Sequence, residues 1–310
     1  MKRVGLTVAT AAAVLWVRAA AHATEAAMGR YVTGVFTTPL AGIVPPAPGF
    51  YWSSANMYYS ASAGADLHIP IGNQVSFGLD ATIVGTTFTG LWVPSVEIAP
   101  DTTLALSISI PVQYMEATAS LGAIESKDHD TALGDIMFAP TLGWHSGKNF
   151  LSASLRIFAP TGPYEAGRIA NIGMNYWTFS PTLSYTYFDM SRGLDFSMVG
   201  GIDINTRNPD TDYTSGAMAH LDASLMQYLS KELAIGVFGS VLYQFENDKG
   251  PLADQLDGFK GRSFAIGPIL KYNAGTDTKP VNISLSWAPE FGTKNRLKGN
   301  AVYFSVSGAF

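Results

Sequence analysis

The sequence predicts an all-β protein: a transmembrane, antiparallel, up-and-down β-barrel of about 12 strands. Three observations carry that prediction. From about residue 49 the chain is a succession of runs in which apolar and small or polar residues alternate, the period of a strand. Charged residues make up only 14% of the chain, against roughly 25% in an ordinary soluble domain. The chain ends in "AVYFSVSGAF", where Val302, Phe304, Val306 and Phe310 share one face of an extended strand. Termini usually fray into polar tails, so a strand that stops on a bare aromatic needs a reason.

At the other end, Lys2 and Arg3 precede a mostly apolar stretch from Val4 to Val17, and Ala21-His22-Ala23 forms a small-x-small cleavage pattern. This is the design of a secretory signal peptide, expected to span residues 1–23 and to be removed after Ala23. The stretch is short for a spanning helix, which needs about 20 apolar residues. Cleavage removes Lys2, Arg3 and Arg18, leaving 19 − 3 = 16 basic against 24 acidic residues, a net charge of −8. That balance disfavours a nucleic-acid partner. The chain has no cysteine, which excludes a disulfide framework and a thiolate nucleophile.

Residues 24–48 are Pro-rich, with Pro39, Pro45, Pro46 and Pro48, and proline cannot donate to a ladder. This segment is expected either to plug the lumen, anchored by Tyr31, Val35 and Phe36, or to serve as a tether. The barrel is assigned to residues 49–310. Its alternating runs lie near 50–62, 75–93, 101–117, 133–146, 149–159, 174–188, 193–206, 215–229, 231–246, 260–273, 280–290 and 299–310. Short links such as 146–149, 189–193 and 230–232 alternate with longer ones at 118–132, 163–173, 206–214 and 247–259. The long ones are expected outside the cell, as in a bacterial outer-membrane meander.

The two faces decide which solvent lies where. One carries Leu, Ile, Val, Phe and Trp, as in Leu104, Leu106, Ile108 and Ile110, and the other Ser, Thr, Gly, Asn and Asp. A soluble barrel would cover its outside with long charged side chains, and the polar faces here almost lack Lys and Glu. The apolar face therefore points at lipid and the small polar face at a wet lumen. Trp52, Trp92, Trp144, Trp177 and Trp287, with Tyr114, Tyr185, Tyr187, Tyr228, Tyr243 and Tyr272, fall near strand ends, where aromatic rings favour the headgroup level. In this reading the terminal Phe310 strand is a belt anchor and a C-terminal assembly signal for the barrel assembly machinery.

Beyond periodicity, the segments "ALGDIMFAPTLGWH" (132–145), "APTGPYEAGRIANIGMNYWTFSPTLSYTYF" (159–188), "NTRNPDTDYTSGAMAHLDASLMQYLSKELAIGVFGSVLYQF" (205–245), "GFKGRSFAIGPILKY" (258–272) and "FGTKNRLKGNAVYFSVSGAF" (291–310) resemble the outer-membrane transporter family associated with the meta-cleavage pathway of phenol degradation. The resemblance covers most of residues 50–310. It implies a monomeric outer-membrane β-barrel for passive uptake of small hydrophobic or aromatic solutes, with no catalytic residues.

Ionisable residues predicted on lumen faces are Asp80, Asp135, Arg156, Asp195, Asp203, Asp222, Lys271 and Glu290. They read either as a lining that orients the polar group of an apolar solute or as an ion-pair network that keeps the wall rigid. His68, His129, His145 and His220 lack metal-ligand spacing, so no metal or cofactor is expected. "WHSGKN" (144–149) sets His145 beside Ser146, facing opposite ways on a strand, which argues against a barrel lipid hydrolase and for a protein that is not an enzyme. The expected function is a porin-like channel in the outer membrane of a Gram-negative cell. The alternative is a structural or adhesive barrel with a filled lumen.

Overall fold

The computed structural model describes residues 29–71, 74–96, 98–121, 124–250, 253, 259–276 and 279–310; the expected signal peptide lies outside them. Thirteen strands occur among the described residues: β1 (Gly49–Ile71), β2 (Gln74–Val93), β3 (Thr102–Leu121), β4 (Ile124–Leu133), β5 (Met137–Ser146), β6 (Asn149–Phe158), β7 (Thr178–Asp189), β8 (Leu194–Asn205), β9 (Met218–Tyr228), β10 (Leu233–Gln244), β11 (Arg262–Thr276), β12 (Lys279–Lys294) and β13 (Lys298–Ala309). All pair antiparallel with their neighbours, and β13 closes the ring on β1, from Tyr51↔Ala309 to Ser62↔Lys298.

The barrel has twelve staves, because β4 and β5 are two parts of one. The first half of β3 pairs with β5 (Thr102↔Trp144 to Ser109↔Met137), and its second half pairs with β4 (Val112↔Leu133 to Leu121↔Ile124). The expected long loop at 118–132 is thus a correction: it is a hairpin arm, and the acidic stretch "ESKDHD" lies within β4. Its polarity reads as loop because the arm rises beyond lipid, where no apolar face is required. The β1–β2 hairpin rises beside it and reaches Ile71↔Gln74.

Closure leaves no open edge in the lipid-facing wall, which lipid would not tolerate. The wall's outward positions are apolar and exposed, among them Val84, Phe88, Ile108, Leu183, Leu225, Val237, Ile266, Leu285 and Phe304. Phe50 stacks on Trp92 with centroids 6.3 Å apart at the end where β1 begins and β13 stops. Trp287 and Tyr58 are outward and exposed near the other end. In the terminal strand Val302, Phe304 and Phe310 are exposed, and the Phe310 N–H donates to the Phe50 carbonyl at 3.1 Å. Inward positions are mainly small and polar, as in Thr178, Ser180, Thr182, Ser184 and Thr186 along β7, all buried. Tyr228 departs from the expected aromatic belt and turns inward, packed beside the buried core.

Candidate functional site

Residues 29–48 form no strand, and their contacts run along the inside of the wall. The Arg30 guanidinium pairs with Asp135, donates through Nε to Thr178 Oγ1 at 3.1 Å and through Nη2 to the Tyr176 carbonyl at 2.7 Å. Thr178 begins β7, at the end away from Phe310 and the start of β1. Further down, Leu40 N donates to Asp195 Oδ2 at 3.1 Å and to Ser197 Oγ at 2.9 Å, and Gly42 N donates to Thr186 Oγ1 at 2.9 Å. Val44 then lies against Gly143 of β5, where an added Cβ would stand 2.6 Å from Val44 Cγ2. The segment therefore passes from one end of the wall to the other before β1 begins.

Midway, Asp222 gathers the tightest cluster. Its carboxylate accepts from the Tyr31 hydroxyl (2.9 Å to each oxygen), from Thr37 Oγ1 at 3.0 Å and from the Ser240 hydroxyl. Tyr31 stacks on His220 with centroids 4.8 Å apart, and His220 Nε2 stands 3.6 Å from Asp203 Oδ1. Gly201 leaves room for that imidazole, since a Cβ there would meet His220 Nε2 at 2.7 Å. Arg156 lays its guanidinium over the Phe36 ring at 3.8 Å and interacts electrostatically with Asp203 and Asp222. Tyr31 also packs with Met218 and Leu242, and Val35 and Phe36 join that cluster. Charge-assisted hydrogen bonds to buried carboxylates contribute about 1.5–3 kcal/mol each, so this knot, with the Arg30–Asp135 pair, ties the segment to the wall.

Two further ionic groups line the interior. Lys271 donates to the Tyr228 hydroxyl at 3.0 Å and faces Asp195. Glu290 accepts from Tyr59 at 2.8 Å, Ser263 at 3.1 Å and the Gly299 N–H at 2.9 Å, and it faces Arg296, whose Nη2 donates to the Tyr31 carbonyl at 2.9 Å. Of the eight ionisable residues expected on lumen faces, Asp135, Asp195, Asp203, Asp222, Lys271 and Glu290 are buried inside, and the Arg156 guanidinium is interior. Asp80 is a correction. It is exposed on the outer face of β2, in register with Ser62 and Thr118, while its neighbours Leu79 and Ala81 are buried inside.

Sequence reasoning missed Arg30, His220 and Arg296, whose roles depend on partners far away in the chain. It also missed a change of character in the outer interior. There Tyr59, Ala61, Leu79, Ala81, Ile83, Met115 and Ala117, from β1 to β3, join one buried apolar cluster with Ala170, Ile172, Tyr213 and Phe259 of the loops. The loop at 159–177 also clasps the β4 arm: Arg168 donates to Asp128 at 2.9 Å and to Asp130 at 3.0 Å. The guanidinium holds the Asp128 carboxyl below the usual carboxylate range.

Comparison with known proteins then places the chain. The profile of the family described as "Putative MetA-pathway of phenol degradation" matches residues 61–306. The chain belongs to this family. Among solved structures, an outer membrane channel from Pseudomonas putida F1 is similar, with a TM-score of 0.71 at 13% identity over 88% of this chain and 100% of that one. A FadL homologue from Pseudomonas aeruginosa (TM-score 0.46, 8% identity, 89% and 93% covered) and a toluene transporter from Ralstonia pickettii (TM-score 0.44, 9% identity, 94% and 99% covered) are more distant. The first likeness carries the fold, and no conclusion rests on the other two. No curated protein matches the chain by sequence.

Proposed function

We propose that this protein is an outer-membrane channel for the passive uptake of small hydrophobic or aromatic compounds, with residues 29–48 closing it at rest. The observation that carries the reading is the divided interior. A solute with an aromatic ring and one polar substituent, the chemistry named by the family's link to phenol degradation, needs apolar contact on one side and a hydrogen-bond partner on the other. The cluster around Tyr59, Ile83 and Met115 supplies the first, and the Ser, Thr and Asp wall of β7 to β9 the second. Binding such a solute takes its apolar face out of water, worth about 25 cal/mol per Å2, while its hydroxyl keeps a partner.

Residues 29–48 hold their place through side-chain hydrogen bonds to the wall and share no ladder with it, so they leave without breaking the barrel. Tyr31, Thr37 and Leu40 are their fastenings. A solute arriving through the loops exchanges with those fastenings and leaves down its gradient at the end where β1 begins and β13 stops. That end is periplasmic and the long loops extracellular, by the usual plan of these barrels. The signal peptide delivers the chain to that membrane, and the C-terminal strand hands it to the assembly machinery as a monomer.

The test is single-channel conductance of the refolded mature protein in a planar bilayer, beside a chain lacking residues 24–48. The expected result is a rise in conductance on truncation, with current blockades when phenol is added. Steady, equal conductance in both proteins removes the closing role of the segment. Silence in both favours the second reading, a structural barrel with a filled lumen, which the dense pairing of Asp135, Asp222 and Glu290 with interior partners supports.

A further inference from the structure

The outer face of β1 to β3 and β13 carries a concavity of about 340 Å3 that belongs to no part of the lumen. Its lower row is Asn300, Ser60, Thr82 and Glu116, which are cross-strand neighbours in register. The next row is Lys298, Ser62, Asp80 and Thr118. Ala61 and Ala81, between them in sequence, turn their side chains the other way and are buried, as is Ala301 next to Asn300, so the patch faces outward from the barrel.

Its depth follows from strand geometry. Phe50 marks the aromatic girdle at the end where β1 begins, and Ser60 lies ten positions along the same strand. At about 3.3 Å per residue and a tilt near 40°, that is a height of about 25 Å, the thickness of the apolar band of such barrels. A second observation places the patch at the same level. Trp287 donates through Nε1 to Asn300 Oδ1 at 3.2 Å, and Tyr114 donates to Glu116 at 3.1 Å. These rings keep their bodies among exposed apolar neighbours such as Tyr58, Val84 and Val302 while their polar tips reach the patch, as aromatic residues do at a membrane–water boundary.

We infer that this concavity, lined by Ser60, Ser62, Asp80, Thr118, Lys298 and Asn300, seats the phosphorylated sugar headgroup of a lipid from the outer leaflet. Hydroxyl and amide side chains interspersed with carboxylates suit the hydroxyls of a saccharide, which donate and accept. The side chains of Asp80 and Lys298 make no ion pair or hydrogen bond with any described residue, so Lys298 is free to meet phosphate and Asp80 to accept from sugar hydroxyls, whereas Glu116 is already paired with Lys127 at 2.9 Å. An ordinary phospholipid offers the phosphate but not the sugar.

The test is native mass spectrometry of the refolded mature barrel in detergent, titrated with diphosphorylated lipid A and, separately, with phosphatidylglycerol. Lipid A is expected to be retained over phosphatidylglycerol. Lys298→Glu is expected to weaken it roughly tenfold, the scale of one charge-assisted contact, and Ser62→Phe, which fills the concavity, to abolish the preference. Heat-shifted mobility in gels checks that each variant folds, and conductance is expected to be unchanged because both positions lie outside the lumen. Equal retention of the two lipids by the parent, or parental binding of lipid A by both variants, overturns the inference.

Discussion

Along β7 to β9 the inward face is mostly polar, with Thr178, Ser180, Thr182, Asp195, Ser197, Asp222 and Ser224 beside Val199, Met218 and Met226, whereas along the outer parts of β1 to β3 it is Tyr59, Leu79, Ile83 and Met115. Both stretches face the same interior, so the difference is not one of solvent. The polar side is where residues 30–42 run. A segment without a ladder brings N–H groups that need partners at membrane depth, and Asp195, Ser197 and Thr186 supply them to Leu40 and Gly42. The apolar side meets side chains of its neighbours and loops, with Val32 as the segment's own member of the cluster, and packs as a core. The wall's chemistry follows what lies against it.

Substitutions on the two sides break this comparison in different ways. Asp222→Leu has the largest expected effect. It strands the Tyr31, Thr37 and Ser240 hydroxyls and leaves Arg156 short of a counter-charge, at a cost of roughly 3–5 kcal/mol in urea unfolding from lipid vesicles. In a chain lacking residues 24–48 the loss should shrink, because two of the three hydroxyls are gone. Met115→Ala should cost roughly 2–4 kcal/mol through the cavity it leaves, and nearly as much in the truncated chain. If truncation changes both losses equally, the division between the sides is wrong. Tyr31→Phe keeps the ring on His220 and removes the hydroxyl's bond to Asp222 together with the one it accepts from the Gly34 N–H, an expected loss of roughly 1–2 kcal/mol with more frequent channel openings.

Leu40→Gly tests a smaller quantity. Leu40 holds a φ of 63°, a left-handed conformation that costs a non-glycine residue about 1 kcal/mol or more. Glycine relieves that strain but gives up freedom on ordering, so stability should change by less than about 1 kcal/mol. Smallest is the surface clasp of Arg168 on Asp128. Because the folded state holds the Asp128 carboxyl low, its contribution is present above the ordinary carboxylate pKa of about 4 and fades as pH falls through the lower folded value. Proteolysis within 159–177 should quicken at acid pH in the parent and be fast already at neutral pH in Arg168→Gln.

Much of the wall was legible because alternation is a local record of two environments. β9 shows it plainly: Leu221 and Leu225 face lipid, and His220, Asp222 and Ser224 are buried. The same rule misplaced Asp80. Beyond Val84 the lipid ends, so on β2 the outer face turns polar and the inner face apolar while the period of two continues unchanged. Reading polar as inward fails at that boundary. The β4 arm was misread as a loop for the same reason, since neither of its faces meets lipid.

By itself, then, the sequence determined a barrel of about twelve strands, the orientation of its lipid belt and the aromatic strand on which it ends, because each depends on neighbours one or two residues away. Only the tertiary structure decided the path of residues 29–48 and the knot at Asp222. Tyr31 meets a carboxylate 191 positions along the chain, and Arg296 reaches a carbonyl 265 positions away. Those contacts exist because closing β13 on β1 brings the two ends of the chain around one interior, and no local pattern records which side chain will stand opposite.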